Sequence, residues 1–183
     1  DPGKAPVMDD TARLLRQIHQ LPARHHRLDI AERILRYEKQ LQHREHPVSD
    51  QLRTHRQDID RLLASLQQFG DRTVLCHNDL LLANRIYSNG RLYAIDWEYC
   101  AMGNPWYDIA VVVNGDALDE MQTAQLVTAY LDRPAREQEW QALLHYGCIY
   151  RYLELLWYLA LERQVLPPSE IEQKLTALQS RLE

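Results

Sequence analysis

The chain has 183 residues, of which 45% are apolar and 26% charged, with a formal charge of −5. That is enough apolar material for one soluble domain or one large lobe. The acidic balance argues against a nucleic-acid binder, whose footprint is basic, and no apolar run reaches membrane-spanning length.

The N-terminal "DPGKAPVMDD" lacks the apolar core of a signal peptide, and position 1 is not Met. Cys76, Cys100 and Cys148 are scattered without CxxC spacing. They read as reduced thiols in a cytoplasmic protein, with neither a disulfide framework nor a zinc site.

Helical periodicity begins at Asp10. "DTARLLRQIHQL" places Leu14, Leu15, Ile18 and Leu21 on one face, with Asp10 or Thr11 as N-cap and Pro22 as terminator. "LDIAERILRYEKQLQHRE" repeats the pattern through Ile30, Ile34, Leu35, Tyr37 and Leu41. A third helical segment follows Pro47, with Leu52, Ile59, Leu62, Leu63 and Leu66, and stops at Gly70.

The texture then changes. "TVLCH" is a short apolar, β-branched run, and "NRIY" and "RLYAID" flank Asn89-Gly90, a strong hairpin signal. Helical texture resumes at "PWYDIAVVVN". Further helices are expected over 117–131 and 135–163, and Pro167 and Pro168 break the chain. "SEIEQKLTALQSRLE" closes it as an amphipathic helix capped by Ser169. The fold class is therefore mainly α with a small β hairpin element, an α+β chain.

The segment "HNDLLLANRIYSNGRLYAIDWE" sets polar residues among strongly apolar ones. Asp79 and Asn84 lie five positions apart across a loop that leads into a strand. A carboxylate at the loop start can take a proton from an attacking hydroxyl. An Asn oxygen at its end can ligate a hard cation such as Mg²⁺, and Asp96 beyond the hairpin is placed for the same ion. A base and metal ligands across a hairpin are parts of a phosphoryl-transfer site. Taken singly, His77 also reads as a core histidine, Asn84 as a turn former, Asp96 as a strand end and Asp108 as a helix cap.

Together, "HNDxxxxN", "IDWEY" and "GNPxxDIA" resemble the choline kinase and aminoglycoside phosphotransferase superfamily, thiamine kinases included. "LLRQIHQLP" resembles the "LHxLP" helix that opens that family's C-terminal lobe. The resemblance covers essentially the whole chain, 1–183, as the C-terminal lobe of a protein-kinase-like fold. It implies leading helices over 8–70, a catalytic loop and metal-binding hairpin over 73–98, and a helical acceptor-binding subdomain over 105–183.

Carried over by position, the resemblance makes Asp79 the catalytic base and Asn84 and Asp96 the Mg²⁺ ligands. It places Glu98 near the metal or its waters, His77 as a brace, and Asp108 as the residue that holds the loop through backbone hydrogen bonds. ATP is the implied phosphoryl donor, and the acceptor is a small-molecule hydroxyl. Tyr99, Trp97, Tyr152 and Trp157 offer aromatic faces for a quaternary ammonium or thiazolium cation, and Glu154 adds charge; helix aromatics at this spacing also serve a core. "VVVNGD" stands where eukaryotic choline kinases carry "NHFxEW", whose Glu helps bind choline, which weakens choline specifically. Thiamine kinase is similar in "IDWEY" and in an aromatic late helix, so the acceptor class is choline-, ethanolamine- or thiamine-like. An aminoglycoside acceptor would call on Glu98, Asp116, Asp119 and Glu120. A non-catalytic binding module on the same fold is the alternative to an enzyme.

The 183 residues contain no GxGxxG, and the lysines are Lys4, Lys39 and Lys174, none on a strand ahead of the loop. An ATP-clamping N-terminal lobe is thus expected to be absent from this chain, whether by truncation, proteolysis or the gene's own form. The isolated chain is expected to be inactive and to self-associate through the interface such a lobe would cover.

Overall fold

The computed structural model describes residues 7–42, 47–70, 72–161 and 166–182. The initial "DPGKAP", the end of the second expected helix at 43–45 and the end of the long one at 162–163 lie outside these residues. In chain order the elements are α1 (Met8–His19), α2 (Ile30–Leu41), α3 (Pro47–Thr54), α4 (Arg56–Ser65), β1 (Val74–Cys76), β2 (Arg85–Ser88), β3 (Arg91–Ala94), β4 (Ala101–Gly103), α5 (Pro105–Gly115), α6 (Glu120–Leu131), α7 (Glu137–Ala160) and α8 (Pro168–Leu182). They fall into two compact units. Asp1–Leu28 joins Phe69–Gly147 in one, and Asp29–Gln68 joins Cys148–Glu183 in the other.

In the first unit, α1 buries Leu14, Leu15 and Ile18 and packs on α6. It starts earlier than its sequence suggests. The Val7 carbonyl accepts from the backbone N–H groups of both Asp10 and Thr11. Those residues therefore lie in the first turn, where the Asp10 carboxylate complements the helix dipole. The Arg16 guanidinium donates to the Ala129 carbonyl in the last turn of α6.

The hairpin forms at Asn89-Gly90, where both residues have positive φ, +50° and +73°. That geometry matches the twist of the flanking strands, and Asn-Gly adopts it at little cost. Ile86 pairs with Tyr93, and Tyr87 with Leu92. The strand expected through Asp96 ends at Ala94. A second ribbon was not evident from sequence: β1 pairs antiparallel with β4, and residues 26–28 flank β4. There Met102 N–H donates to the His26 carbonyl, and Leu28 N–H donates to the Met102 carbonyl.

Asn104 caps α5, its side chain accepting from Trp106 N–H, with Pro105 at the first helical position. Most of α5 is buried, Tyr107 through Val112 included. This explains its uniformly apolar sequence, because a helix enclosed on all sides needs no polar face. Asp119 caps α6 in a reciprocal capping box with Gln122.

In the second unit, the segment expected as one helix after Pro47 is two, α3 and α4, meeting at His55. A 3₁₀ turn, Leu66–Phe69, follows, and Gly70 takes φ +87° beyond it. Ile34, Leu52, Ile59, Ile149, Leu155, Ile171 and Leu178 supply the core. The last helix begins at Pro168, so Ser169 lies inside it.

Candidate active site

The loop 77–84 links β1 to β2, and Asp108 on α5 fixes its first half. One Asp108 carboxylate oxygen accepts from His77 N–H at 2.8 Å, the other from Asn78 N–H at 2.6 Å. Asp108 is fully buried, so these donors replace the water that its charge would otherwise need. His19 adds a third, its Nε2 donating to Asp108 at 3.1 Å while its Nδ1 accepts from the Tyr130 hydroxyl at 2.8 Å. Burial pushes the Tyr130 hydroxyl up to about 12, which keeps it a donor. The helix α1 face, through His19, thus reaches the 77–84 loop by way of α5.

Asn78 takes φ +64°, a conformation that Asn tolerates better than most residues. Its side-chain amide donates to the Tyr99 carbonyl at 2.9 Å and ties the loop to the "DWEY" segment. His77 is fully buried. Its Nε2 donates to the Ile95 carbonyl at 2.9 Å, which leaves Nδ1 as the bare ring nitrogen. The ring lies against Trp97 with centroids 4.8 Å apart. Cys76, His19 and Asp108 cluster closely enough to share a metal ion, but the Asp108 oxygens are already taken by donors. Burial, then the Asp108 charge, raises the Cys76 thiol far above its ordinary value, which opposes the thiolate a metal needs.

Asp79 and Asn84 close the loop on itself. The Asn84 side-chain amide donates to the Asp79 carboxylate at 2.8 Å and to its carbonyl at 2.9 Å. Both amide hydrogens are thereby used, and Oδ1 makes no hydrogen bond among the described residues. The Asn84 carbonyl accepts from Ile95 N–H at 3.0 Å, so Asp96 follows one residue after the pairing. Asp96 is exposed at φ +62° and meets no donor among the described residues. A free amide oxygen just before β2 and an exposed carboxylate just after β3, at the end where Arg85 pairs with Ala94, are hard oxygen ligands, the donor set that Mg²⁺ takes. Glu98 is exposed, and Trp97 and Tyr99 are half-buried.

The other expected acceptor residues lie in the second unit. Tyr152 is fully buried and its hydroxyl donates to Glu38 at 3.1 Å, so it presents no ring face to solvent. Glu154 pairs with Lys174 at 2.8 Å. Trp157 is half-buried, edge-on to Tyr158 at 4.9 Å.

Two residues of the loop's surroundings escaped sequence reasoning. Arg85 directly follows Asn84 and points inward on β2, its side chain 1% exposed. It donates to the Asp116 carboxylate, to Thr11 Oγ1 at 3.1 Å and to the Leu81 carbonyl at 3.3 Å. Asp116, grouped by sequence with surface acids, also accepts from Leu82 N–H at 2.9 Å. Alternation along "RIYS" was the available signal, since it puts Arg85 on the same strand face as Tyr87.

The sequence profile of the phosphotransferase enzyme family matches residues 5–143. The chain is 30% identical to protein LicA of Haemophilus influenzae over 109 residues, 55% of this chain and 41% of that protein. It is 36% identical to ethanolamine kinase 2 of Mus musculus over 92 residues, 49% of this chain and 22% of that kinase. Among solved structures, choline kinase LicA from Streptococcus pneumoniae superposes with a TM-score of 0.78 at 22% identity, covering 96% of this chain and 63% of that one. The aligned segments thus span less than half of these curated relatives. The fold is that of a choline-kinase-like C-terminal lobe, α+β in class. The match over residues 5–143, which contain the whole Asp79–Asn84 loop and its Asp108 brace, makes the chain a member of the phosphotransferase enzyme family.

Proposed function

We propose that this chain is the lobe of an ATP- and Mg²⁺-dependent small-molecule kinase that carries the base and the metal ligands. It transfers the γ-phosphoryl group to a hydroxyl of a choline-, ethanolamine- or thiamine-like acceptor. The observation that carries this reading is the Asp79–Asn84 hydrogen bond within a loop braced from below by Asp108.

Asp79 orients the acceptor hydroxyl and takes its proton as the oxygen attacks. The new bond joins that oxygen to the γ-phosphorus, the bond to the bridging β–γ oxygen breaks, and ADP leaves. Asn84 Oδ1 and Asp96 would hold Mg²⁺, with Glu98 near its waters. An ion held there would supply neutralisation of charge on the phosphate oxygens. His77 and Asp108 hold the loop. Trp97 and Tyr99, which follow the hairpin, supply aromatic faces for the acceptor cation. In the second unit, taken by itself, Trp157 is the aromatic candidate, Glu154 a charge paired with Lys174, and Tyr152 a core support.

Among the described residues, no helix is long and apolar enough to cross a membrane. The proposed ATP-dependent reaction accords with a cytoplasmic protein. With no Gly-rich loop in their sequence, these 183 residues alone turn over no ATP. Their exposed hairpin face, Ile86, Tyr93 and Ile95, promotes self-association. The test is a phosphorylation screen of the complete gene product with ATP, Mg²⁺ and choline, ethanolamine, thiamine or aminoglycosides. Turnover on one of the first three that disappears in Asp79→Ala supports the reading. No transfer to any acceptor, or turnover unaffected by Asp79→Ala, overturns it.

A further inference from the structure

Asp108 accounts for only the first half of the loop. It holds the backbone N–H groups of His77 and Asn78, whereas Asn84 lies six residues beyond Asn78. Between them, Leu80 is fully buried, but Leu82 is 54% exposed, so apolar packing does not fix the loop at Leu82. A second carboxylate does: Asp116, just past α5, accepts from Leu82 N–H at 2.9 Å. Its other oxygen meets the Arg85 guanidinium. Arg85 in turn donates to the Leu81 carbonyl and to the buried hydroxyl of Thr11 on α1.

We propose that Arg85 and Asp116 are positioning residues for phosphoryl transfer. They clamp the middle of the catalytic loop so that Asp79 and Asn84 keep their mutual geometry. This role rests on the kinase reading of the same loop. Arg85 is the immediate neighbour of Asn84, so the guanidinium that anchors β2 to α1 also sets where Asn84 Oδ1 emerges. Asp116 neutralises that charge and spends its second oxygen on the loop backbone. Lysine could not replace Arg85, because one ammonium cannot reach a carbonyl, a hydroxyl and a carboxylate in the directions that the planar fork provides.

The experiment compares kcat, KM and thermal midpoint in the complete gene product for Asp116→Asn and for the double variant Arg85→Met with Asp116→Leu. The double variant removes both buried charges together, which leaves neither uncompensated. It also deletes the acceptor for Leu82 N–H. Expected is a kcat lowered by ~10–100-fold, the scale of a small misplacement at a reacting centre. KM for ATP stays within about twofold, even where the midpoint returns to the unsubstituted value. Asp116→Asn retains an acceptor for Leu82 and loses less. A double variant that regains both midpoint and kcat overturns the role and leaves a purely structural ion pair.

Amide hydrogen exchange at Leu82 gives a readout independent of turnover. Slow exchange in the unsubstituted protein and fast exchange in the double variant are expected. Fast exchange in an active, unsubstituted protein overturns the clamp alone. A gene product that phosphorylates nothing overturns the kinase reading and this role with it, even where Leu82 exchanges slowly.

Discussion

The side-chain amide of Asn84 donates to the Asp79 carboxylate over 2.8 Å. Under the proposed function one residue then has two tasks, since the bond orients the proposed base and leaves Oδ1 for a cation. Asp79→Ala in the complete gene product should lower kcat by about 10²–10⁴-fold, the range of a general base. Asn84→Ala should lower kcat and also weaken Mg²⁺ dependence, seen as a higher Mg²⁺ concentration for half-maximal rate. Both variants should keep their urea midpoint within experimental error of the parent, because the two side chains are only half-buried.

Asp108 behaves differently because it is fully buried with several donors aimed at it. Asp108→Ala strands the N–H groups of His77 and Asn78, each at about 1–3 kcal/mol. A loss of roughly 3–5 kcal/mol, read as a shift of the urea midpoint, is expected alongside loss of activity. Asp108→Asn keeps the shape but offers one acceptor oxygen, and should fall between the two.

Trp157 and Tyr152 separate a proposed acceptor contact from a core position. Trp157→Ala should raise the acceptor KM by about 2–30-fold, the range that a cation–π contact of ~0.5–2 kcal/mol allows. Tyr152→Phe should leave that KM unchanged. It removes a buried hydrogen bond to Glu38, which retains Arg56 at 2.9 Å, so a stability loss of about 1 kcal/mol is expected. Steady-state kinetics and urea titration of the same preparations check both.

Alkaline pH should loosen the fold. Burial holds the hydroxyls of Tyr130 and Tyr146 up at about 12, against about 10 in an unfolded chain. Below pH 10 these groups are protonated in both states and their contribution is complete. From pH 10 to 12 the unfolded chain releases protons that the folded one keeps, so stability falls as pH rises. Urea midpoints at pH 8, 10 and 11.5 should show the decline only in the last interval, and Tyr130→Phe should lessen it.

Thiol reactivity follows from burial. Cys76 and Cys148 are buried, and burial raises both thiols; the thiolate is the reactive form. Cys100 is half-buried. Titration of the native chain with a disulfide reagent should give a fast phase that Cys100→Ser removes, and the other two should react on unfolding.

The chemistry was legible in the sequence because it sits in contiguous segments. "HNDLLLAN" and "IDWE" carry the proposed base and ligands at spacings that a single loop and hairpin impose, and Asn89-Gly90 announces the turn that joins them. Helix existence was equally local, since an amphipathic period survives whatever the tertiary context. Helix starts were not: Val7 rather than Asp10 opens α1, because the carbonyl that accepts the first bonds belongs to whichever backbone is free of other pairing.

Strand pairing between distant segments left no local trace. The β1–β4 ribbon joins Val74 to Gly103, and nothing within three-residue strands specifies a partner across such a span. The face of β2 was likewise decided by tertiary structure. Taken alone, "RIYS" buries Ile86, but the protein buries Arg85 and leaves Ile86 47% exposed. A charged side chain goes inside only when its partners are already there, and Thr11, Leu81 and Asp116 come from three separate parts of the chain. The sequence by itself thus determined the loop and the polar groups to which the proposed function assigns the chemistry. Only the tertiary structure added Asp116 and Arg85 to the Asp108 brace that the motif implied, because hydrogen-bond satisfaction of buried charge depends on neighbours that are remote in sequence.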